Sequence, residues 1–79
     1  MKSVYILQSL GDPARHYTGI TDDMDQRLHD HNDGKCPHTS KYTPWKLLAN
    51  IGFDDDAKAR AFERYLKSGS GRAFAKKHF

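Results

Sequence analysis

Several things are missing from this chain, and each absence narrows the field. One cysteine, Cys36, in 79 residues leaves no intramolecular disulfide framework and fits a reducing, cytoplasmic compartment. No stretch approaches the roughly 18 apolar residues needed to cross a bilayer. Lys2 is followed directly by strand-like residues, not by the apolar core of a secretion signal. There is no internal repeat, no low-complexity tract and no second composition that would mark another domain. Residues 1–79 therefore read as one small domain with a thin core. A covalent serine or cysteine mechanism also lacks its parts, since Cys36 sits in a loop without partner residues. Zinc fails on spacing: Cys36 and His38 lie near His29 and His31, but they match no compact Cys/His pattern and a second ligand pair is missing.

Acid is nearly absent from one region only. Residues 1–56 carry six Lys/Arg against nine Asp/Glu. Residues 57–79 carry Lys58, Arg60, Arg64, Lys67, Arg72, Lys76 and Lys77 against Glu63 alone. A basic C-terminal third of this kind is the electrostatic footprint of a polyanion partner, although a solvated helix face gives the same count.

What is present begins with two short runs rich in β-branched and aromatic residues, Ser3–Leu7 and His16–Ile20. Gly11-Asp12-Pro13 between them predicts an antiparallel hairpin. Alternation puts Val4 and Ile6 on one face and Tyr5 and Leu7 on the other. A register pairing Tyr5 with Tyr17, and Leu7 with Arg15, sets two phenols side by side. Gly19 follows closely and marks a place where a ligand or another backbone approaches.

Thr21-Asp22-Asp23 supplies N-cap chemistry for a helix over Asp23–Asn32 that stops at Gly34. Its inward stripe is Met24, Arg27, Leu28 and His31, so an arginine and a histidine one turn apart aim at the tyrosine face. The connection Gly34–Pro44 holds Lys35, Thr39, Ser40 and Lys41, residue types suited to phosphate contacts. Trp45–Phe53 reads as a third, mostly buried strand. Asp54-Asp55-Asp56 then caps a helix running to about Ser68 and ended by Gly69. Ala59, Phe62 and Leu66 form its apolar stripe, and Glu63 falls inside it. That carboxylate is either the i,i+4 partner of Lys67 or a ligand for a hard cation. Ser70-Gly71-Arg72 opens a short terminal helix. The fold class that follows is α/β: a small, three-stranded, largely antiparallel sheet flanked by helices.

Two tyrosines on a hairpin, Arg27 and His31 on the next helix, and Glu63 on a later one resemble the GIY-YIG nuclease superfamily. Ser3-Val4-Tyr5 stands in the place of the first motif triplet and Tyr17-Thr18-Gly19 in that of the second. Ser3-Val4 replaces Gly-Ile and Thr18 replaces Ile, which spares the tyrosines and Gly19. The resemblance covers nearly the whole chain and implies a small stand-alone endonuclease that hydrolyses DNA phosphodiesters. It implies one Mg²⁺ or Mn²⁺ held by Glu63, a planar donor fork from Arg27, and a tyrosine acting as base on water with help from His31. Either tyrosine can be that base, with Tyr5 preferred. Lys35, Lys41 and Arg72 are expected to touch substrate phosphates, and Gly19 to leave room for the substrate. A chain of this size leaves target choice to a DNA structure, a protein partner or very loose specificity. The alternative is a nucleic-acid-binding module with the same fold and little or no cleavage.

Overall fold

The computed structural model describes residues 1–79. Strands β1 (Lys2–Ser9) and β2 (His16–Thr21) precede helix α1 (Met24–Asn32), and a 3-10 turn at Ser40–Tyr42 leads into β3 (Trp45–Phe53). Helices α2 (Asp56–Lys67) and α3 (Gly69–His78) close the chain. The sheet is antiparallel throughout, in the order β2-β1-β3. No helix is long and apolar enough to cross a membrane.

Because β1 lies in the middle, it is the strand that is buried on both faces. Val4 through Leu7 are all buried, and their alternation separates two cores. Val4 and Ile6 pack with Ala59 and Leu66 of α2, joined by Phe62 and Phe74. Tyr5 and Leu7 pack with Trp45 on the other face, against Met24 and Leu28 of α1. Helix α1 therefore covers one side of the sheet, and α2 with α3 covers the other.

The sheet departs from expectation in its hairpin register and in the burial of β3. The hairpin register is Tyr5 opposite Gly19 and Leu7 opposite Tyr17, so Tyr5 and Tyr17 are diagonal neighbours on one face. A Cβ at position 19 would collide with the Tyr5 hydroxyl and ring. The paired glycine is thus the seat on which the phenol lies, and it selects this register. Strand β3 is not mostly buried: only Trp45 is, because β3 is an edge strand and one of its two backbone edges has no neighbour.

The helix ends follow the local chemistry. Asp23 accepts from the Gln26 N–H at the start of α1, and Asp55 accepts from Ala57 and Lys58 at the start of α2. Gly34, at φ 75°, makes the left-handed turn after α1. Gly69 does not act as the expected stop. Ser68 ends α2 in an extended conformation, and its Oγ accepts from the Gly71 N–H, so the same residue caps the start of α3.

Candidate active site

Four of the five residues singled out as catalytic meet on the α1 face. Tyr5 is delivered by the central strand and is fully buried. Its hydroxyl lies 2.9 Å from His31 Nε2 and accepts from Arg27 Nε at 3.2 Å. Arg27 and His31 reach it together because they are one helical turn apart on α1. Tyr17 completes the group from β2, its ring centroid 6.2 Å from that of Tyr5 and 4.9 Å from that of His31.

The electrostatics follow from enclosure. Burial raises the Tyr5 pKa above its ordinary value, and the Arg27 hydrogen bond and charge only partly offset this. The resting phenol is thus held protonated, so Arg27 and His31 do not make it more acidic, and the help open to His31 is to take its proton. Burial likewise lowers the His31 pKa, and the Arg27 charge lowers it further, so the imidazole is neutral at pH 7. The hydrogen bond to Tyr5 raises the Arg27 pKa and keeps the guanidinium charged. An uncharged proton acceptor and a fixed cation therefore both touch one phenol oxygen.

Thr39 was missed as part of this group. It sits in a polar loop with no periodicity, where it reads as a phosphate contact. Instead it is fully buried, with Oγ1 2.8 Å from His31 Nδ1. Gly19 is also buried, and the close approach it permits is made by Tyr5 from within the chain.

Glu63 stands apart from the tyrosines. It projects from α2, which packs on the opposite face of the sheet, and pairs with Lys67 at 2.7 Å. Its side chain is only 17% exposed, in keeping with its place inside the apolar stripe of α2. No group of three or more His, Cys, Asp or Glu side chains converges anywhere in the chain. The donor set at Glu63 is one hard carboxylate, which fits an ion such as Mg²⁺ that takes one or two protein carboxylates and completes its shell with water and phosphate. Lys67 is the cation now occupying that carboxylate.

A groove of about 870 Å³ lies against the α2–α3 face, over Ile6 and Leu66. Tyr17 and Thr18 of β2 line it together with Lys67 of α2 and Arg72 and Lys76 of α3. Arg72 thus joins Tyr17 along one cleft. Lys35 and Lys41 do not lie there: Lys35 is exposed beside Asp30 at 3.7 Å, and Lys41 is exposed on the 3-10 turn.

The family model for the GIY-YIG catalytic domain matches residues 1–77. The chain belongs to the GIY-YIG family. It is also similar to UPF0213 proteins, with 38% identity over 64 residues to one from Lactococcus lactis subsp. cremoris, covering 80% of this chain and 63% of that protein. A UPF0213 protein named YsiG, from Lactococcus lactis subsp. lactis, is 40% identical over 52 residues, which is 65% of this chain and 50% of YsiG. The match in Cupriavidus necator is 35% identical over 75 residues, covering 90% of this chain and 79% of that protein. The chain thus spans between half and two thirds of the length of the lactococcal relatives it matches.

Proposed function

We propose that this GIY-YIG protein is a divalent-metal-dependent endonuclease acting on DNA, with Tyr5 as the base that activates water. The observation that carries this reading is the buried contact of Tyr5 with both His31 Nε2 and Arg27 Nε. A phenol held in its neutral form becomes a base only if its proton has somewhere to go, and His31 is a neutral acceptor in contact with it. The phenolate left behind would face the Arg27 guanidinium, which also presents its remaining N–H groups to a phosphate oxygen. Tyr17, which lines the groove and whose ring lies beside that of Tyr5, would hold the attacking water or the phosphate, and substrate binding would open the Tyr5 oxygen, closed to solvent in the free chain, to that water.

Glu63 would hold the ion, Mg²⁺ or Mn²⁺, with Lys67 moving off the carboxylate. Bound there, a divalent ion supplies charge to the oxygen that departs from phosphorus. Arg72, Lys67 and Lys76 would carry the backbone phosphates along the groove, with Lys35 and Lys41 extending the basic surface. Such contacts position a strand without reading bases, so selection falls to DNA shape or to a protein partner. A cytoplasmic site of action fits the single free thiol, Cys36.

The test is cleavage of branched, single-stranded and duplex DNA, with and without Mg²⁺, by the wild-type chain and Glu63→Ala. Mg²⁺-dependent cutting by the wild type alone, with DNA binding retained in the variant, is expected. Binding by both without cutting by either would favour the binding-module reading, for which the Glu63–Lys67 pair is the observation in hand.

A further inference from the structure

The hydrogen bonds around His31 form a chain whose proton directions are fixed by counting. Arg27 can only donate, so its Nε–H makes the Tyr5 oxygen an acceptor. Tyr5 is closed to solvent, and the other partner of its hydroxyl is His31 Nε2. The phenol hydrogen therefore occupies that bond, and Nε2 accepts it. A neutral imidazole carries one N–H, which is then on Nδ1 and donates to Thr39 Oγ1. Thr39 in turn gives its own hydroxyl hydrogen to the Cys36 carbonyl at 3.3 Å. With the other tautomer, Nε2–H and Arg27 Nε–H would both point at the Tyr5 oxygen. The phenol hydrogen would then have no acceptor in a site closed to water.

We propose that Thr39 is a positioning residue that holds His31 in its Nδ1–H tautomer, leaving Nε2 as the acceptor for the Tyr5 proton. The proton placement stands on the hydrogen bonds alone; its catalytic consequence rests on the nuclease reading above. When the Tyr5 proton passes to Nε2, the product is an imidazolium whose Nδ1–H stays on Thr39 and a phenolate beside Arg27. No other group has to move.

The loop is built to keep Thr39 still. Its carbonyl accepts from the Trp45 indole N–H at 2.9 Å, and its own N–H donates to the Cys36 carbonyl at 3.1 Å. Trp45 is itself held by Asn32, which accepts from the Trp45 N–H at 2.6 Å and donates to the Trp45 carbonyl at 3.2 Å. The last residue of α1 thus fixes the start of β3, and that strand fixes the threonine facing His31.

Long-range ¹H–¹⁵N correlation of the imidazoles in the full chain at neutral pH reads the tautomer directly, with His31 assigned by its loss in His31→Gln. The wild type should show Nδ1 protonated and Nε2 bare. Thr39→Val keeps the shape and removes the acceptor, which leaves a buried Nδ1–H unpaired and sets that cost against the unpaired phenol hydrogen of the other tautomer, so the Nδ1–H preference should weaken, while Thr39→Ser should keep it. In DNA cleavage, Thr39→Val should lower kcat by about 10²-fold with KM unchanged, the lower end of what a positioned acid–base group contributes. A protonated Nε2 in the wild type, or an unchanged His31 spectrum in Thr39→Val, overturns the proposal. Should Thr39→Val not fold, Thr39→Ala is read in its place, and the wild-type tautomer still decides. The expected tautomers without cleavage by any protein would retire the nuclease reading and leave the role of Thr39 standing.

Discussion

On the α1 face of the sheet, Tyr5, His31 and Thr39 are shut away from water and their polar atoms are all paired within the protein. On the α2–α3 face, Lys67 is about half exposed, Arg72 and Lys76 are exposed, and Glu63 is held by a single lysine. The contrast separates two kinds of chemistry. A proton relay gains from enclosure, because low dielectric strengthens its hydrogen bonds and fixes their direction. A phosphate-binding and ion-binding surface needs open positions that substrate and water can fill. In the proposed reaction the enclosed side moves the proton and the open side meets charge, with Tyr17 touching both.

Variants that strike one side alone should affect cleavage and DNA binding unequally. On the enclosed side the largest effect is expected from Tyr5→Phe, which removes the proposed base and should slow cleavage about 10²- to 10⁴-fold. DNA affinity should be nearly unchanged, because Tyr5 is buried and the groove keeps its cations. Single-turnover rates and filter binding on one preparation check both halves. Gly19→Ala comes next. Its methyl group would displace the Tyr5 ring, so a loss of about 1–3 kcal/mol in urea unfolding is expected, as for overpacking generally, together with a loss of cleavage.

A smaller effect concerns acid. The His31 pKa is depressed in the folded chain, so below the ordinary value of 6.5 the unfolded chain binds a proton that the folded chain does not. Stability contributed by neutral His31 is complete above that pH and is lost as pH falls through the folded value. Denaturant midpoints of wild type should therefore fall more steeply on acidification below about 6.5 than those of His31→Gln. Parallel curves would mean that His31 takes its proton without cost. The smallest change is expected from Lys67→Met. Its ion pair contributes only ~0.2–0.5 kcal/mol, so stability should hardly move. If Lys67 turns to a phosphate in the complex, the slope of log affinity against log salt should drop by about one.

Much of this division was legible in the residues. Alternation in β1 assigned Val4 and Ile6 to one core and Tyr5 and Leu7 to the other. Asp23, Asp55 and Gly34 marked helix ends through chemistry local to a few residues. The hairpin register was not legible, because moving the Tyr5 partner from Tyr17 to Gly19 leaves every side chain on the same face. What decides it is the phenol lying on Gly19, a contact between strands that no local pattern records. The burial of Thr39 was hidden for a similar reason. A threonine among lysines and serine looks solvated until Trp45 and His31 close over it. The neutral resting state of Tyr5 likewise depends on enclosure, which outweighs the arginine that the spacing on α1 made conspicuous.

In the proposed reaction Tyr5 moves the proton while Glu63 holds the ion, from opposite faces of one sheet. A Mg²⁺ titration of DNA cleavage by wild type, Tyr5→Phe and Glu63→Gln tests it most directly, with DNA affinity measured on the same samples. Tyr5→Phe should keep the wild-type dependence on Mg²⁺ at a much lower plateau. Glu63→Gln should fall by about 10³-fold or more, since metal stabilisation is worth several kcal/mol, and its DNA binding should be equal or tighter. Wild-type cleavage and wild-type Mg²⁺ dependence in Glu63→Gln would remove Glu63 from the site, leaving that carboxylate as the partner of Lys67 and nothing more.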